Sequence, residues 1–122
     1  SSSDVVSLHA PLTDTTSGML GRQQLFSMKP GAVLINTSRG GLVDEAALSH
    51  ALDEGPLRAV GLDVYENEPQ VHPSLLERPD VTLLPHIGSA TEATRGLMAK
   101  MAVEACLAHL GSKPLPYLAS IR

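Results

Sequence analysis

The chain has 122 residues, about the size of one folded domain, and 43% of them are hydrophobic, enough to form a packed core. Its net charge of −4 and its aromatic content of 2% argue against a nucleic-acid partner, because nucleic acids attract basic surfaces and base stacking needs aromatic rings. The single cysteine excludes an internal disulfide and a structural zinc set. The sequence has no apolar run of the ~20 residues that a membrane helix needs, and its first residues do not resemble a signal peptide. We therefore expect a cytoplasmic protein with no membrane association.

Four short apolar runs alternate with amphipathic ones. The apolar runs predict β-strands at residues 4–8, 32–36, 58–63 and 81–84. Between them, helices are expected at 21–28 and at 45–54, where Asp44 can act as N-cap. This alternation favours an α/β fold with a parallel sheet and flanking helices. The run at 32–36 is so continuously apolar that we expect both of its faces to be covered.

The carboxyl-terminal part of the chain predicts one long helix at residues 90–110. Ser89 and Glu92 have the spacing of a capping box, and Gly111 followed by two prolines ends the helix. Cys106 lies beside apolar residues of this helix, so we expect a buried, inert thiol. Residues 112–122 are expected to form an extended tail.

The sequence contains neither Gly-x-Gly-x-x-Gly nor Gly-x-x-x-x-Gly-Lys-Ser/Thr, the usual phosphate-binding turns. It also begins almost directly in a strand, and an open sheet that starts this way leaves an edge to be covered. These two features predict that the chain is part of a larger protein.

Charged side chains follow three of the predicted strands. Ligands of open parallel sheets bind beyond the carboxyl ends of the strands. There the sequence places Arg39, whose planar guanidinium can bind a carboxylate through two hydrogen bonds, and beside it Gly40 and Gly41, which would let a ligand approach the backbone. Asp63 and Glu68 follow the next strand. His86 follows the last one; it can exchange a proton near neutral pH, and Glu68 is its natural carboxylate partner.

Each of these residues also has a plainer interpretation. Arg39 could be a surface arginine, His86 a structural histidine and residues 63–68 a solvated loop. The other four histidines show no metal-ligand spacing, so we expect no metal site. Ser38 and Ser89 lack the context of a nucleophile elbow, which leaves serine hydrolysis with little support.

Four segments of the sequence carry recognisable motifs: SDVVSLHAPLT at 3–13, INTSRGGLVDE at 35–45, GLDVYENEP at 61–69 and LPHIGSAT at 84–91. They resemble the D-isomer-specific 2-hydroxyacid dehydrogenases, and together the resemblance covers the chain to about residue 116. The run Pro-His-Ile-Gly-Ser-Ala-Thr is most similar to the glyoxylate/hydroxypyruvate reductase branch.

The resemblance implies a hydride transfer between a nicotinamide cofactor, NAD or NADP, and a small 2-oxo or D-2-hydroxy acid. Arg39 matches the arginine that binds the substrate carboxylate and carbonyl, His86 the acid/base, and Glu68 the carboxylate that hydrogen-bonds the histidine. Asp63 matches a residue near the nicotinamide carboxamide. Positions matching the family's cofactor site are Pro11, Thr37, Ser38, Arg39, Asp63, His86 and Gly88, and those matching the substrate site are Arg39, His86 and Ser89.

By the same resemblance, residues 1–111 match only the carboxyl-terminal portion of a dinucleotide-binding domain with a partial Rossmann-like sheet. The glycine-rich half and the substrate domain are absent from this sequence, so we expect the 122 residues alone to be inactive. The complete protein is expected to be a homodimer. Two other functions stay open: a non-enzymatic NAD(H)-binding regulator of the corepressor type, and an inactive truncated product.

Overall fold

A computed structural model describes residues 2–118 of the chain. The chain divides into two compact units, Ser1–Gly88 and Ser89–Arg122. The first unit contains the whole sheet, and the second contains one long helix. Among the described residues, no helix has the length and apolar character needed to cross a membrane.

The first unit is built on a four-stranded parallel sheet whose spatial order follows the chain, β1-β2-β3-β4. The predicted parallel α/β fold is therefore confirmed, and the predicted strands begin and end within one residue of the observed ones. The observed strands are β1 (Val5–Leu8), β2 (Ala32–Asn36), β3 (Leu57–Leu62) and β4 (Val81–Leu83).

Two helices connect the first three strands, α1 (Arg22–Phe26) and α2 (Glu45–Asp53). The predicted N-cap of α2 is present, because the Asp44 carboxylate accepts a 2.9 Å hydrogen bond from the amide of Ala47. Leu48 of α2 is fully buried and belongs to the hydrophobic core. Short 3-10 turns lie at Gly40–Leu42 and Pro73–Leu75. The second of these replaces a helix in the connection from β3 to β4.

The two faces of the sheet are covered unequally, which corrects the expectation that β2 is buried on both sides. Leu34 and Leu62 are buried on one face, whereas Val33 and Ile35 are only half-buried on the other. The strand order explains the difference. Crossovers between parallel strands are right-handed, so connections that proceed in one direction across a sheet place their helices on the same face.

The second unit contains α3 (Glu92–Leu110), which begins two residues later than predicted. The proposed capping box at Ser89 is wrong. Thr91 is the N-cap, and its hydroxyl accepts a hydrogen bond of 3.1 Å from the amide of Thr94. The Ser89 carbonyl instead accepts from the Thr91 amide at 2.9 Å, so the chain makes a turn before the helix starts. Because of this turn, Thr91 and not Ser89 lies at the start of the helix.

The expected burial of Cys106 is also wrong, since this thiol is exposed. Its apolar neighbours Val103 and Leu107 are themselves 57% and 64% exposed, and none of the residues of α3 is buried. After the helix the chain turns back, and the hydroxyl of Tyr117 donates a 2.7 Å hydrogen bond to Glu104. Residues 119–122 of the predicted tail lie outside the described residues.

Candidate active site

The loop that carries Arg39 is shaped by Asn36, the last residue of β2. Asn36 is 1% exposed, and its side-chain amide donates to the carbonyl of Arg39 at 2.9 Å and accepts from the amide of Ser38 at 3.1 Å. Two side-chain hydrogen bonds of this kind hold the backbone in a tight turn at the strand end. The Arg39 side chain itself is exposed, and its Nη1 donates to the Ser38 carbonyl at 2.7 Å.

The loop after β3 carries Glu68 to the histidine that follows β4. His86 Nδ1 lies 2.8 Å from Oε2 of Glu68. A carboxylate can only accept, so Nδ1 carries the proton of this hydrogen bond. The second carboxylate oxygen of Glu68 accepts from the Tyr65 amide at 3.1 Å. The pKa of the Glu68 carboxyl lies below its usual range, mainly because of the hydrogen bond with His86, then that of the Tyr65 amide, with a further contribution from the charge of Arg39.

His86 adopts an unusual backbone conformation, with φ at +54° in the left-handed region. This conformation costs a non-glycine residue roughly 1–2 kcal/mol. Asp63, which is 2% exposed, holds the residues that follow, since its two oxygens accept from the amides of Ile87 at 2.8 Å and Gly88 at 2.7 Å. Hydrogen bonds to an ionised acceptor are strong enough to offset the cost. Asp63 therefore anchors the histidine loop.

Tyr65 forms hydrogen bonds with both the loop of Glu68 and the segment that leads to His86. Its hydroxyl donates to the carbonyl of Leu84 at 2.6 Å, two residues before His86, while its amide donates to Glu68. Burial raises the pKa of the Tyr65 hydroxyl, and the nearby carboxylates Asp63, Glu45 and Glu68 act in the same direction. The phenol stays neutral near pH 7 and keeps its role as a donor.

Two clefts open at this edge of the sheet. One, of about 530 Å³, includes Glu68 and His86 together with the apolar side chains of Pro69, Val71 and Leu83. The other, of about 670 Å³, is formed by residues 9–12 with Ser38 and Arg39. An arginine, a histidine–carboxylate pair and concave surface thus lie along one edge, an arrangement suited to orienting an acid and moving a proton.

The predicted cofactor positions are distributed over this edge. Pro11, Ser38 and Arg39 share the larger cleft, whereas Thr37 and Asp63 border a groove of about 330 Å³ on the half-buried face of the sheet. Gly88 is the last residue of the first unit, and its amide donates a hydrogen bond to Asp63. Ser89, expected at the substrate site, is the first residue of the second unit. Within residues 2–118 no group of three or more potential metal ligands comes together.

Comparison with known proteins identifies the family. A model of the D-isomer specific 2-hydroxyacid dehydrogenase family, NAD binding domain, matches residues 1–88. The chain belongs to this family.

Individual dehydrogenases of the family extend the match. Over 112 residues the chain is 51% identical to the glyoxylate/hydroxypyruvate reductase B of Enterobacter agglomerans, covering 91% of this chain and 35% of the relative. The crystal structure of an NADPH-dependent glyoxylate/hydroxypyruvate reductase from Sinorhizobium meliloti in complex with NADP and malonate has a TM-score of 0.89 at 38% identity, over 96% of this chain and 37% of that one.

A more distant dehydrogenase shares the fold. The D-lactate dehydrogenase of Lactobacillus jensenii, solved with NAD+, has a TM-score of 0.82 at 31% identity, over 96% of this chain and 39% of that one. The chain spans about a third of the length of the curated relative described above. The recognised family and its reductase branch, predicted from four short segments, are both confirmed.

Two buried residues that shape the candidate site were not predicted from the sequence, Asn36 and Glu45, at 1% and 4% exposure. Asn36 ends the apolar run of β2, and that contrast was the available signal, whereas Glu45 stands beside Asp44 at a helix start, where an acidic residue is ordinary. Gly40 was expected to make room for a ligand. The structure corrects this, because a Cβ on Gly40 would lie 1.9 Å from the carbonyl carbon of Tyr65. The glycine is needed for contact between two loops of the protein itself.

Proposed function

We propose that this chain forms the proton-transferring and acid-orienting part of an NAD(P)-dependent reductase of small 2-oxo acids, such as glyoxylate or hydroxypyruvate. The observation that carries the proposal is the 2.8 Å contact between His86 and Glu68 at the sheet edge that also bears Arg39. The names of its relatives support the substrate class.

In this proposal, Arg39 grips the substrate carboxylate and aligns the neighbouring carbonyl, because a guanidinium makes two parallel hydrogen bonds to a planar acid. His86, with Nδ1 held by Glu68, donates the proton on Nε2 to the carbonyl oxygen as the carbon is reduced. Glu68 stabilises the imidazolium before the transfer and fixes the ring orientation. The substrate gains one hydride and one proton and becomes a 2-hydroxy acid.

The nicotinamide cofactor, NAD or NADP, would supply the hydride when bound. Residues suited to hold it lie at the carboxyl ends of the strands, where ligands of parallel sheets bind. The cleft with Pro11, Ser38 and Arg39 and the groove beside Thr37 and Asp63 offer concave surface there. These concave surfaces fit part of a dinucleotide.

The organisation of the complete protein belongs to the same proposal. Residues 1–111 form the carboxyl-terminal portion of a dinucleotide-binding domain and residues 112–122 a tail, with the phosphate-binding turn and the substrate domain supplied from elsewhere in the protein. The 122 residues alone are then inactive. We further propose a homodimer, which sedimentation of the complete protein would test, and a cytoplasmic location, which cell fractionation would test.

The reductase proposal is tested with the full-length protein, purified with and without His86→Ala. We expect the unmodified protein to oxidise NADH or NADPH in the presence of glyoxylate or hydroxypyruvate. His86→Ala should lower kcat by roughly 10²–10⁴-fold, the usual contribution of general acid–base catalysis. The midpoint of thermal unfolding serves as the control for an intact fold and should change little.

Two results would contradict the proposal. Binding of NAD(H) with no turnover of any small 2-oxo acid would favour a regulator of the corepressor type. Failure of the full-length protein to bind either dinucleotide would favour an inactive product.

A further inference from the structure

Two residues of the segment that follows Arg39 contact the peptide bond between Tyr65 and Glu66. Gly40 approaches so closely that a Cβ would lie 1.9 Å from the carbonyl carbon of Tyr65 and 2.5 Å from the nitrogen of Glu66. Oε1 of Glu45 accepts a 2.8 Å hydrogen bond from the Glu66 amide. The first turn of α2 is thereby attached to the loop that carries Glu68.

Glu45 is an unexpected residue for this position. It is the first residue of α2 and only 4% exposed, and a buried carboxylate is costly unless it is hydrogen-bonded. A negative charge does favour the start of a helix. That effect needs neither burial nor contact with another loop, and Asp44 already caps α2. The hydrogen bond to Glu66 is therefore the feature that accounts for a carboxylate buried here.

The contact leads directly to the proposed acid–base pair. The Tyr65 amide, at the start of the segment fixed by Gly40 and Glu45, donates to Oε1 of Glu68. The other oxygen of Glu68 meets His86. We propose that Glu45 is a positioning residue for the Glu68–His86 pair and acts through the 65–66 peptide. This inference rests on the reductase function proposed above.

Charged and titratable side chains of several elements lie near the pair, so a test has to separate the position of Glu68 from the effect of a nearby charge. The charge of Arg39, after β2, acts on Glu68. Asp63, after β3, binds the loop of His86 through the Ile87 amide, and the Tyr65 hydroxyl binds the Leu84 carbonyl. The Glu45 carboxylate, on α2, acts on Tyr65, the residue whose amide bonds Glu68. Removing that charge could alter the protonation of His86 with no change in position. The variants must therefore change reach and charge one at a time.

Two conservative variants of the full-length protein make this separation. Glu45→Asp keeps the charge but is one methylene too short to reach the Glu66 amide, whereas Glu45→Gln loses the charge and keeps an oxygen that can accept. We expect Glu45→Asp to move the high-pH decline of the reduction rate to lower pH, because a loosened Glu68 stabilises the imidazolium less. Glu45→Gln should leave the decline near that of the unmodified protein, and KM for the 2-oxo acid should change little in both.

Asp44→Ala provides the matched control, since it removes the neighbouring cap of the same helix and does not touch the Glu66 amide. It should lower the unfolding midpoint without moving the pH profile. In a Glu68→Gln background, Glu45→Asp should produce no further shift, because its route to His86 is already cut. Additive shifts, an equal shift in the Asp and Gln variants, or a shift in Asp44→Ala would each overturn the inference.

Hydrogen exchange tests the same contact independently of turnover. The amide of Glu66 should exchange roughly tenfold faster in Glu45→Asp, the change expected for losing a hydrogen bond to a charged acceptor. Unchanged exchange would overturn the inference even in an active reductase. Faster exchange in a protein that reduces no 2-oxo acid would uphold the contact and refute the proposed function instead.

Discussion

At the scale of single residues, the proposed reaction depends on three side chains on three loops. His86 and Glu68 form one hydrogen-bonded pair, and the exposed Arg39 contributes a positive charge that favours ionised Glu68. The pair is partly open to solvent, with 47% and 36% of the two side chains exposed. This exposure fits the proposed transfer of a proton to a substrate and its recovery from water.

Arg39→Lys tests the proposed grip on the substrate acid. A lysine ammonium is a point charge that cannot reproduce the two parallel hydrogen bonds of a guanidinium. We expect KM for glyoxylate to rise and kcat to fall in the full-length protein, by at least about tenfold in kcat/KM, the effect of losing one charged hydrogen bond. Steady-state kinetics measure both parameters. A variant with unchanged kcat/KM would remove Arg39 from the substrate site.

Glu68→Gln tests the partnership with His86 by the direction of a pH shift. The depressed pKa of the Glu68 carboxyl shows that its ionised form is favoured, chiefly by the hydrogen bond with His86. Through the same hydrogen bond the ionised carboxylate stabilises a proton on the His86 ring, and a glutamine side chain cannot do so. Reduction needs that proton, and its decline at high pH should move to lower pH. Rates measured across pH check this, and an unmoved or upward-moved decline would show that Glu68 does not act on His86.

At the scale of elements, the site depends on contact between loops that the sheet brings together. Asp63 and Glu45 each use a buried carboxylate to bind backbone amides of a neighbouring loop, whereas Asn36 binds the turn that directly follows it. Such bonds satisfy polar groups that would be costly to bury alone. They also fix the relative positions of side chains that are far apart in the sequence. The loops therefore behave as parts of one packed arrangement.

Gly40→Ala tests that packing at its tightest point. The new methyl group would lie 1.9 Å from backbone atoms of Tyr65, which cannot move aside as a flexible side chain can. We expect the free energy of unfolding to fall by about 1–3 kcal/mol, the usual cost of overpacking, and reduction to weaken with it. Denaturant unfolding and kinetics of the full-length protein measure the two effects.

Gly96→Ala is the matched control for this substitution. Gly96 lies inside α3, and a Cβ there meets nothing within 4 Å. Alanine should stabilise the helix by about 0.5–1 kcal/mol through its lower conformational freedom in the unfolded chain. Equal effects of the two substitutions would show that the close approach at Gly40 has no energetic role.

At the scale of the whole molecule, the sheet exposes apolar surface at its outer edge. Val5 on the outer strand β1 is 59% exposed, and β1 has no neighbouring strand on its outer side among the described residues. Exposed strand edges pair readily with other strands. We expect a polypeptide of residues 1–122 made by itself to self-associate, as measured by light scattering over a range of concentrations.

A lysine on the edge strand supplies the comparison for this experiment. Val5→Lys should reduce the association, because a charge on an edge strand opposes pairing, whereas Ser3→Lys adds the same charge just before the strand. Monodisperse monomers of the unmodified polypeptide at high concentration would contradict the prediction. Equal effects of both lysines would assign the association to net charge instead of the strand edge.

The sequence alone determined the elements and their order. Continuous apolar runs with β-branched residues placed the four strands, and Asp44 placed the start of α2, because these signals depend on neighbours a few positions away. Four motifs were enough to recognise the family, and the strand-end rule brought Arg39, Glu68 and His86 to one edge. All of this information is local or follows from general topology.

Only the tertiary structure decided how deeply each residue is buried and what it contacts. Periodicity could not show that β2 has one open face or that Cys106 is exposed, since burial depends on what packs from elsewhere in the chain. It could not assign Gly40 to loop packing or Glu45 to the Glu66 amide, 21 positions away. Such contacts join residues that are distant in sequence. They could not be predicted from the sequence, because only folding sets the distances between these residues.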